Sequence, residues 1–91
     1  MLNMTDLNEC FNQAIRECSR YIAVRVKVGF NKEEVIINPF ENFVEKQVYY
    51  NRVYNDRLQH MFSDEPILIT GYAHGDSFSQ LELDLDIISI Q

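Results

Sequence analysis

The spacing of apolar residues changes period along the chain and divides it into segments. Met4, Leu7, Phe11, Ala14 and Cys18 recur at alternating intervals of three and four, with Cys10 and Ile15 widening the stripe, which predicts a helix near residues 4–19 burying one face. Asp6 followed by Glu9 forms a capping-box pattern for its start, with Asn3 and Thr5 as alternatives. The period then falls to two: Ile22, Val24, Val26 and Val28 alternate with Tyr21, Ala23, Arg25 and Lys27, as in a strand with one apolar face. A turn over Gly29 to Glu33 and a short returning strand, "EVIIN", complete a β-hairpin.

In "NPFE", Asn38 reads as an N-cap, Pro39 as the first helical residue and Glu41 as the capping-box acid, so a helix is expected from Pro39. Pro66 disfavours helical geometry at Glu65 and would end that helix near Phe62, giving a rod of ~36 Å. On such a rod Phe40, Phe43, Val44, Val48, Tyr50, Tyr54, Leu58, Met61 and Phe62 share the inner face, with the Tyr50 and Tyr54 hydroxyls at its rim. Tyr49, Val53, Asp56 and His60 then form a strip on the opposite, outer face.

"ILITGYAH" reads as a third strand and "GDS" as a turn. In "LELDLDI", Leu81, Leu83, Leu85 and Ile87 alternate with Glu82, Asp84 and Asp86, the pattern of a fourth strand with an acidic outer face. Ser77 followed by Gln80 offers a weak helix cap against that reading. The expected fold is therefore α+β, in the order α-β-β-α-β-β: a four-stranded, mostly antiparallel sheet with two helices packed on one face. Charge complementarity of Arg25 and Lys27 with Glu82 and Asp84 predicts that the first and fourth strands are neighbours.

Ninety-one residues, 46% hydrophobic and 24% charged, make one globular domain over 1–91. The N-terminus lacks the pattern of a signal peptide and no apolar run approaches the ~18 residues of a membrane span, so a cytoplasmic protein without membrane contact is expected. Cys10 and Cys18 would lie about 12 Å apart along one helix, beyond disulfide reach, and read as reduced core thiols. The net charge is -6, and all of the excess falls after Arg57, where six acids meet no Lys or Arg. Phosphate contacts come mainly from Lys and Arg, so direct nucleic-acid binding is not expected, and a basic partner surface would suit the chain better.

Candidate chemistry is sparse. His74, Asp76 and Ser77 supply the residue types of a hydrolase triad, but a tight turn seldom lets them converge, and turn chemistry is the preferred reading. Asp56 and His60 at i, i+4 could share an ion with Asp64, yet histidine-pair and Cys-x-x-Cys zinc patterns are absent, and a surface pair is the simpler account. No nucleophile elbow, phosphate loop or dinucleotide fingerprint occurs, so neither enzyme activity, cofactor nor metal is expected. Glu82, Asp84 and Asp86 on a strand would repeat every ~6.8 Å. Such a row could imitate a phosphate backbone, although a solvated face neutralised by Arg25 and Lys27 is preferred.

In length, acidity, sparse glycine and element order, the whole chain resembles the small uncharacterised accessory proteins encoded by phages and prophages. No signature residue carries that resemblance, so it transfers no site. It implies a cytosolic binding protein and extends to inhibitors of the anti-CRISPR kind. The leading expectation is a non-enzymatic protein-interaction module, homodimeric or bound to another protein, using Tyr49, Val53, Asp56 and His60 or exposed sheet surface. Met61, Phe62, Ile88 and Ile90 are the residues a second copy would cover. The alternative is an acidic inhibitor or nucleic-acid mimic acting through Glu82, Asp84 and Asp86.

Overall fold

Asn3, rather than Asp6, caps the first helix: its Oδ1 accepts the Asp6 N–H at 2.8 Å, and α1 (Met4–Arg16) buries Met4, Leu7, Phe11 and Ala14 along one stripe. The structure is a computed structural model that describes residues 2–90, with side chains described for 2–85. The helix closes earlier than its apolar period suggests. The Ser19 N–H reaches the Ala14 carbonyl at 2.9 Å and the Cys18 N–H reaches that of Ile15 at 3.2 Å, the paired bonds of a Schellman motif. Cys18 holds the left-handed position, at φ 53, that glycine usually takes. That geometry turns Cys18 out to solvent, which corrects its assignment to the core, while Cys10 is half-buried.

The hairpin forms as expected. β1 (Tyr21–Val28) and β2 (Lys32–Pro39) pair antiparallel from Tyr21 opposite Pro39 to Val28 opposite Lys32, with Gly29 at φ 66 in the turn. β3 (Ile67–Gly75) pairs antiparallel with the other side of β1, so the strand order is β2-β1-β3. The inner face carries Ile22, Val24 and Val26 from β1 and Ile69 from β3 into one core with α1.

The expected long rod is broken. Pro39 ends β2, a 3-10 turn follows over Phe40–Asn42, and the second helix, α2, spans only Phe43–Val53. Asn38 is not a cap; its side chain is buried on the inner face of the sheet. At the far end Tyr54 is extended, and Asn55 diverts the backbone: its Oδ1 accepts the N–H groups of Arg57 at 2.9 Å and Gln59 at 3.1 Å. A side chain that offers local acceptors in this way competes with helical hydrogen bonds. The chain reverses through Leu58, at φ 64, and returns so that His60 bridges Tyr54 and Gln59 bridges Leu68 of β3. The inner face of α2 is also rotated from the expected one: Phe43 and Tyr50 are buried, whereas Val44 and Val48 are exposed. Tyr50 is core, packed 6.0 Å from Phe11 and 5.7 Å from Tyr54 between ring centroids, and Tyr54 is buried with it.

The fourth strand does not exist. Residues Phe78–Ile90 form a third helix, α3, which Ser77 caps by accepting the Gln80 N–H at 3.3 Å. The leucine and acid alternation suits a helix because Leu81 and Leu85 stand one turn apart, and both are buried, while Leu83 is exposed. α3 lies on the outer face of the sheet, opposite α1 and α2, over Ala23 and Ala73. The sheet is therefore three-stranded and covered by helices on both faces. Small residues make the outer layer shallow: a Cβ on Gly71 would lie 3.0 Å from an Arg25 nitrogen and 3.3 Å from Leu85.

Arg25 ties α3 down, replacing the expected pairing of Arg25 and Lys27 with Glu82 and Asp84. Its guanidinium donates to Thr70 Oγ1 at 2.9 Å, to the Thr70 carbonyl at 2.8 Å and to the Leu85 carbonyl at 3.2 Å, and stands 3.7 Å from Glu33. Hydrogen bonds from a largely buried charged group are worth more than neutral ones. Arg25→Met is expected to cost about 1–3 kcal/mol and to raise deuterium exchange in α3 while amides of α1 and β1 stay protected. Cys18→Gly relieves the left-handed strain and is expected to stabilise the fold by about 0.5–1 kcal/mol, read as a higher Tm. Leu58→Gly relieves a similar φ but empties a fully buried position, so a loss of about 3 kcal/mol is expected instead.

Candidate interaction surface

The register of the hairpin decides which backbone groups of β2 face outward. The Phe40 N–H donates to the Arg20 carbonyl at 2.9 Å, which continues the register in which Tyr21 opposes Pro39. Hydrogen-bonded pairs recur every second residue of an antiparallel ladder, so Ile36 and Asn38 bond inward to Val24 and Ile22. Glu33, Val35 and Ile37 consequently aim their N–H and C=O groups away from β1. Among the described residues no strand pairs with that side. The opposite edge of the sheet is partly sealed: Ile69 of β3 donates to the Leu58 carbonyl at 2.9 Å, and His60 donates to the Ile67 carbonyl at 2.8 Å.

The same parity places the Val35 and Ile37 side chains on the outer face, beside Arg25 and Ala23. They are covered only in part. Val35 is 51% exposed and Ile37 40% exposed, and between them and α3 runs a groove of about 290 Å³. Val35 and Ile37 form one wall, Ala23 the floor, and Phe78, Leu81 and Leu85 the other wall, with Glu82 also on the α3 side. Phe78 rests against Tyr21, ring centroids 4.8 Å apart, and is itself 58% exposed. An apolar groove thus lies along an edge strand whose outward backbone groups have no strand partner among the described residues.

The residues expected to form an outer helical strip are not brought together as one. Tyr49 is on α2, exposed, with the Lys46 ammonium 5.1 Å from its ring centroid. Val53 is half-buried against the main core. Asp56 lies in the loop beyond the helix, where its carbonyl accepts the Met4 N–H at 3.1 Å. His60 belongs to the returning segment; its Nδ1 accepts the Phe62 N–H at 3.0 Å and its ring packs on Tyr54. The acidic row is not formed either, because a helix turns Glu82 and Asp84 about 200° apart. Asp86 occupies a helical position whose side chain lies outside the described residues, as do those of Ile88 and Ile90. Met61 and Phe62 are exposed, though in the loop and not at a helix end.

The triad-like residues serve three separate structural purposes. His74 Nδ1 is 2.9 Å from the hydroxyl of Ser19, a buried side chain; Asp76 accepts the Arg20 N–H at 3.0 Å; and Ser77 caps α3. His74 and Asp76 clamp the connection between α1 and β1 to the end of β3. Among the described residues no three His, Cys, Asp or Glu side chains group as a metal site, and no helix is long and apolar enough to cross a membrane. Burial pushes the Cys10 thiol up to about 12, away from a reactive thiolate. No family model, curated protein or solved structure matches the chain.

Burial also raises the phenols. Tyr54 and Tyr72 are pushed up to about 12, and Tyr50, the most enclosed of the three, is raised as well, with the neighbouring Tyr54 and Tyr49 adding to it. Each group is kept neutral by the fold, so its stabilising contribution is complete below its ordinary pKa and is lost as pH rises through the folded value. Stability is expected to fall between about pH 9.0, the ordinary pKa at which an unfolded Cys10 is half ionised, and about 12. Urea midpoints followed by circular dichroism across that range would show the decline.

Proposed function

We propose that this chain is a non-catalytic protein-interaction module that accepts an extended segment of a partner along the open edge of β2. The bound strand would hydrogen-bond to the outward groups of Glu33, Val35 and Ile37 and lodge alternate side chains in the groove beside α3. In strand addition of this kind, backbone bonds supply affinity and pockets for every second side chain supply selectivity. The observation that carries the reading is the continuity of the apolar groove with that edge. This keeps the expectation of a binding protein and, of the helical strip and the exposed sheet surface, takes the sheet. With Glu82 the acid among the groove's lining residues, such binding should respond weakly to ionic strength.

Proline separates the inward from the outward positions. Val35→Pro removes an N–H that points away from β1, in a conformation proline tolerates on an edge strand, so the fold should survive. Ile36→Pro removes an inward hydrogen bond and is expected to cost about 3 kcal/mol. Peptides selected from a display library on the wild-type protein should bind it through alternating apolar residues, shift the amide resonances of residues 33–37 and fail to bind Val35→Pro. Selected ligands that hold both proteins equally well, or a monomeric protein on which none is selected, would overturn the proposal.

A further inference from the structure

The segment best matched to this edge is the edge itself. We propose that β2 of a second copy occupies it, antiparallel, across a two-fold axis at Ile36, making a continuous six-stranded sheet. This rests on the edge-docking reading above and adds the identity of the occupant.

An antiparallel pair of identical strands is self-complementary, because every bond made by one copy is repeated by the other. Opposed residues must share a face of the sheet, which leaves only registers that move by two positions. With the axis at Ile36, Ile36 meets Ile36 of the partner subunit on the inner face, and Val35 meets Ile37 of the partner subunit on the outer face. Glu34 then lies opposite Asn38 of the partner subunit. Glu33 lies opposite Pro39 of the partner subunit, whose carbonyl accepts the Glu33 N–H and whose missing N–H costs a single bond on each side.

The neighbouring registers are worse for stated reasons. An axis at Val35 sets Glu33 and Glu34 against isoleucines, and one at Glu34 sets two glutamates face to face, which repel. An axis at Ile37 opposes Pro39 to Val35, where the missing proline N–H costs a bond on either side of the centre, and leaves about four backbone hydrogen bonds. The Ile36 axis keeps all four glutamates of the dimer clear of one another and retains about six backbone hydrogen bonds. It also joins the two grooves into one trough, floored by Val35 and Ile37 of both copies and flanked by the two α3 helices. The full sheet would then have β3 at both of its ends, the edge that residues 58–60 already help to seal.

Sedimentation equilibrium at concentrations up to about 1 mM, a range that reaches weak association, is expected to give twice the 10.8 kDa chain mass. Val35→Pro should weaken the dimer about tenfold or more, and Val35→Lys, which changes only an exposed side chain, should do the same without loss of fold. In a Cys10→Ala, Cys18→Ser background, Ile36→Cys should form an inter-chain disulfide on mild oxidation. Residues opposed at a position without mutual hydrogen bonds have Cα atoms about 4.5 Å apart, within disulfide range. Val35→Cys should not cross-link.

A monomer at every concentration overturns the proposal, as does a dimer unaffected by both Val35 variants, or cross-linking at Val35 and not at Ile36. If the protein is monomeric yet still binds selected extended peptides in a manner that Val35→Pro abolishes, the dimer fails and the strand-accepting module stands. If those peptides are lost as well, both fail.

Discussion

Everything in this molecule is arranged around β1, the strand that must satisfy neighbours on four sides. It bonds to β2 along one edge and to β3 along the other, and its Ile22, Ala23 and Val24 are all fully buried, although successive residues point to opposite faces. Both faces of a three-stranded sheet must therefore be covered, and the residues available differ in size on the two sides. The inner face presents branched side chains to the rings of Phe11, Phe43 and Tyr50, a thick layer that two helices are needed to build. The outer face presents Ala23, Gly71 and Ala73, so α3 approaches closely and seals its share with two leucines. Arg25 is the long side chain on that shallow surface. It spends its hydrogen bonds on Thr70 and on the Leu85 backbone, and so fixes α3 where burial alone would hold it weakly.

The position of α3 then determines the unequal finish of the two halves. Anchored over β1 and β3, it leaves the outer side of β2 only partly covered, and the returning loop after α2 protects the β3 edge and not the β2 edge. Exposed sheet edges are commonly guarded by charge, proline or a bulge. β2 has charges at its first residues, Lys32 to Glu34, and a proline at its last, with Val35, Ile36 and Ile37 between them. The guards restrict where another strand can pair and leave the middle open. A short edge bounded in this way is suited to a partner in a fixed register, where a long unguarded one would invite promiscuous pairing.

Much of the fold was legible because burial and period agreed. The stripe from Met4 to Ala14, the alternation in β1 and the run into β3 each fit one geometry only. The errors arose where the same apolar residues fit two. Leu81 and Leu85 satisfy a strand's period of two and a helix's i, i+4 spacing equally, and the Ser77 cap, a weaker local pattern, was the feature that separated them. The rod from Pro39 to Phe62 failed at Asn55, whose carboxamide provides a non-helical route for the backbone that apolar periodicity takes no account of. Once the helix ends at Val53, phase angles carried past it lose their meaning, and the strip from Tyr49 to His60 dissolves into four unrelated environments.

The candidate interaction surface was harder to read because no motif encodes it, yet one stretch was out of keeping with the expected arrangement. A hairpin strand with one solvated face should alternate apolar with polar residues, as β1 does in its second half. Val35, Ile36 and Ile37 do not alternate. Ile36 faces the main core, so the adjacent valine and isoleucine have to be apolar for a reason on the other side. α3 supplies that reason only in part, since it touches their groove without closing it. Two β-branched residues kept at half exposure, beside a backbone with outward donors and acceptors, have the chemistry of a strand awaiting another strand. In the proposed reading, the run of three apolar residues is the point at which fold and function meet, one residue serving the interior and its two neighbours the contact.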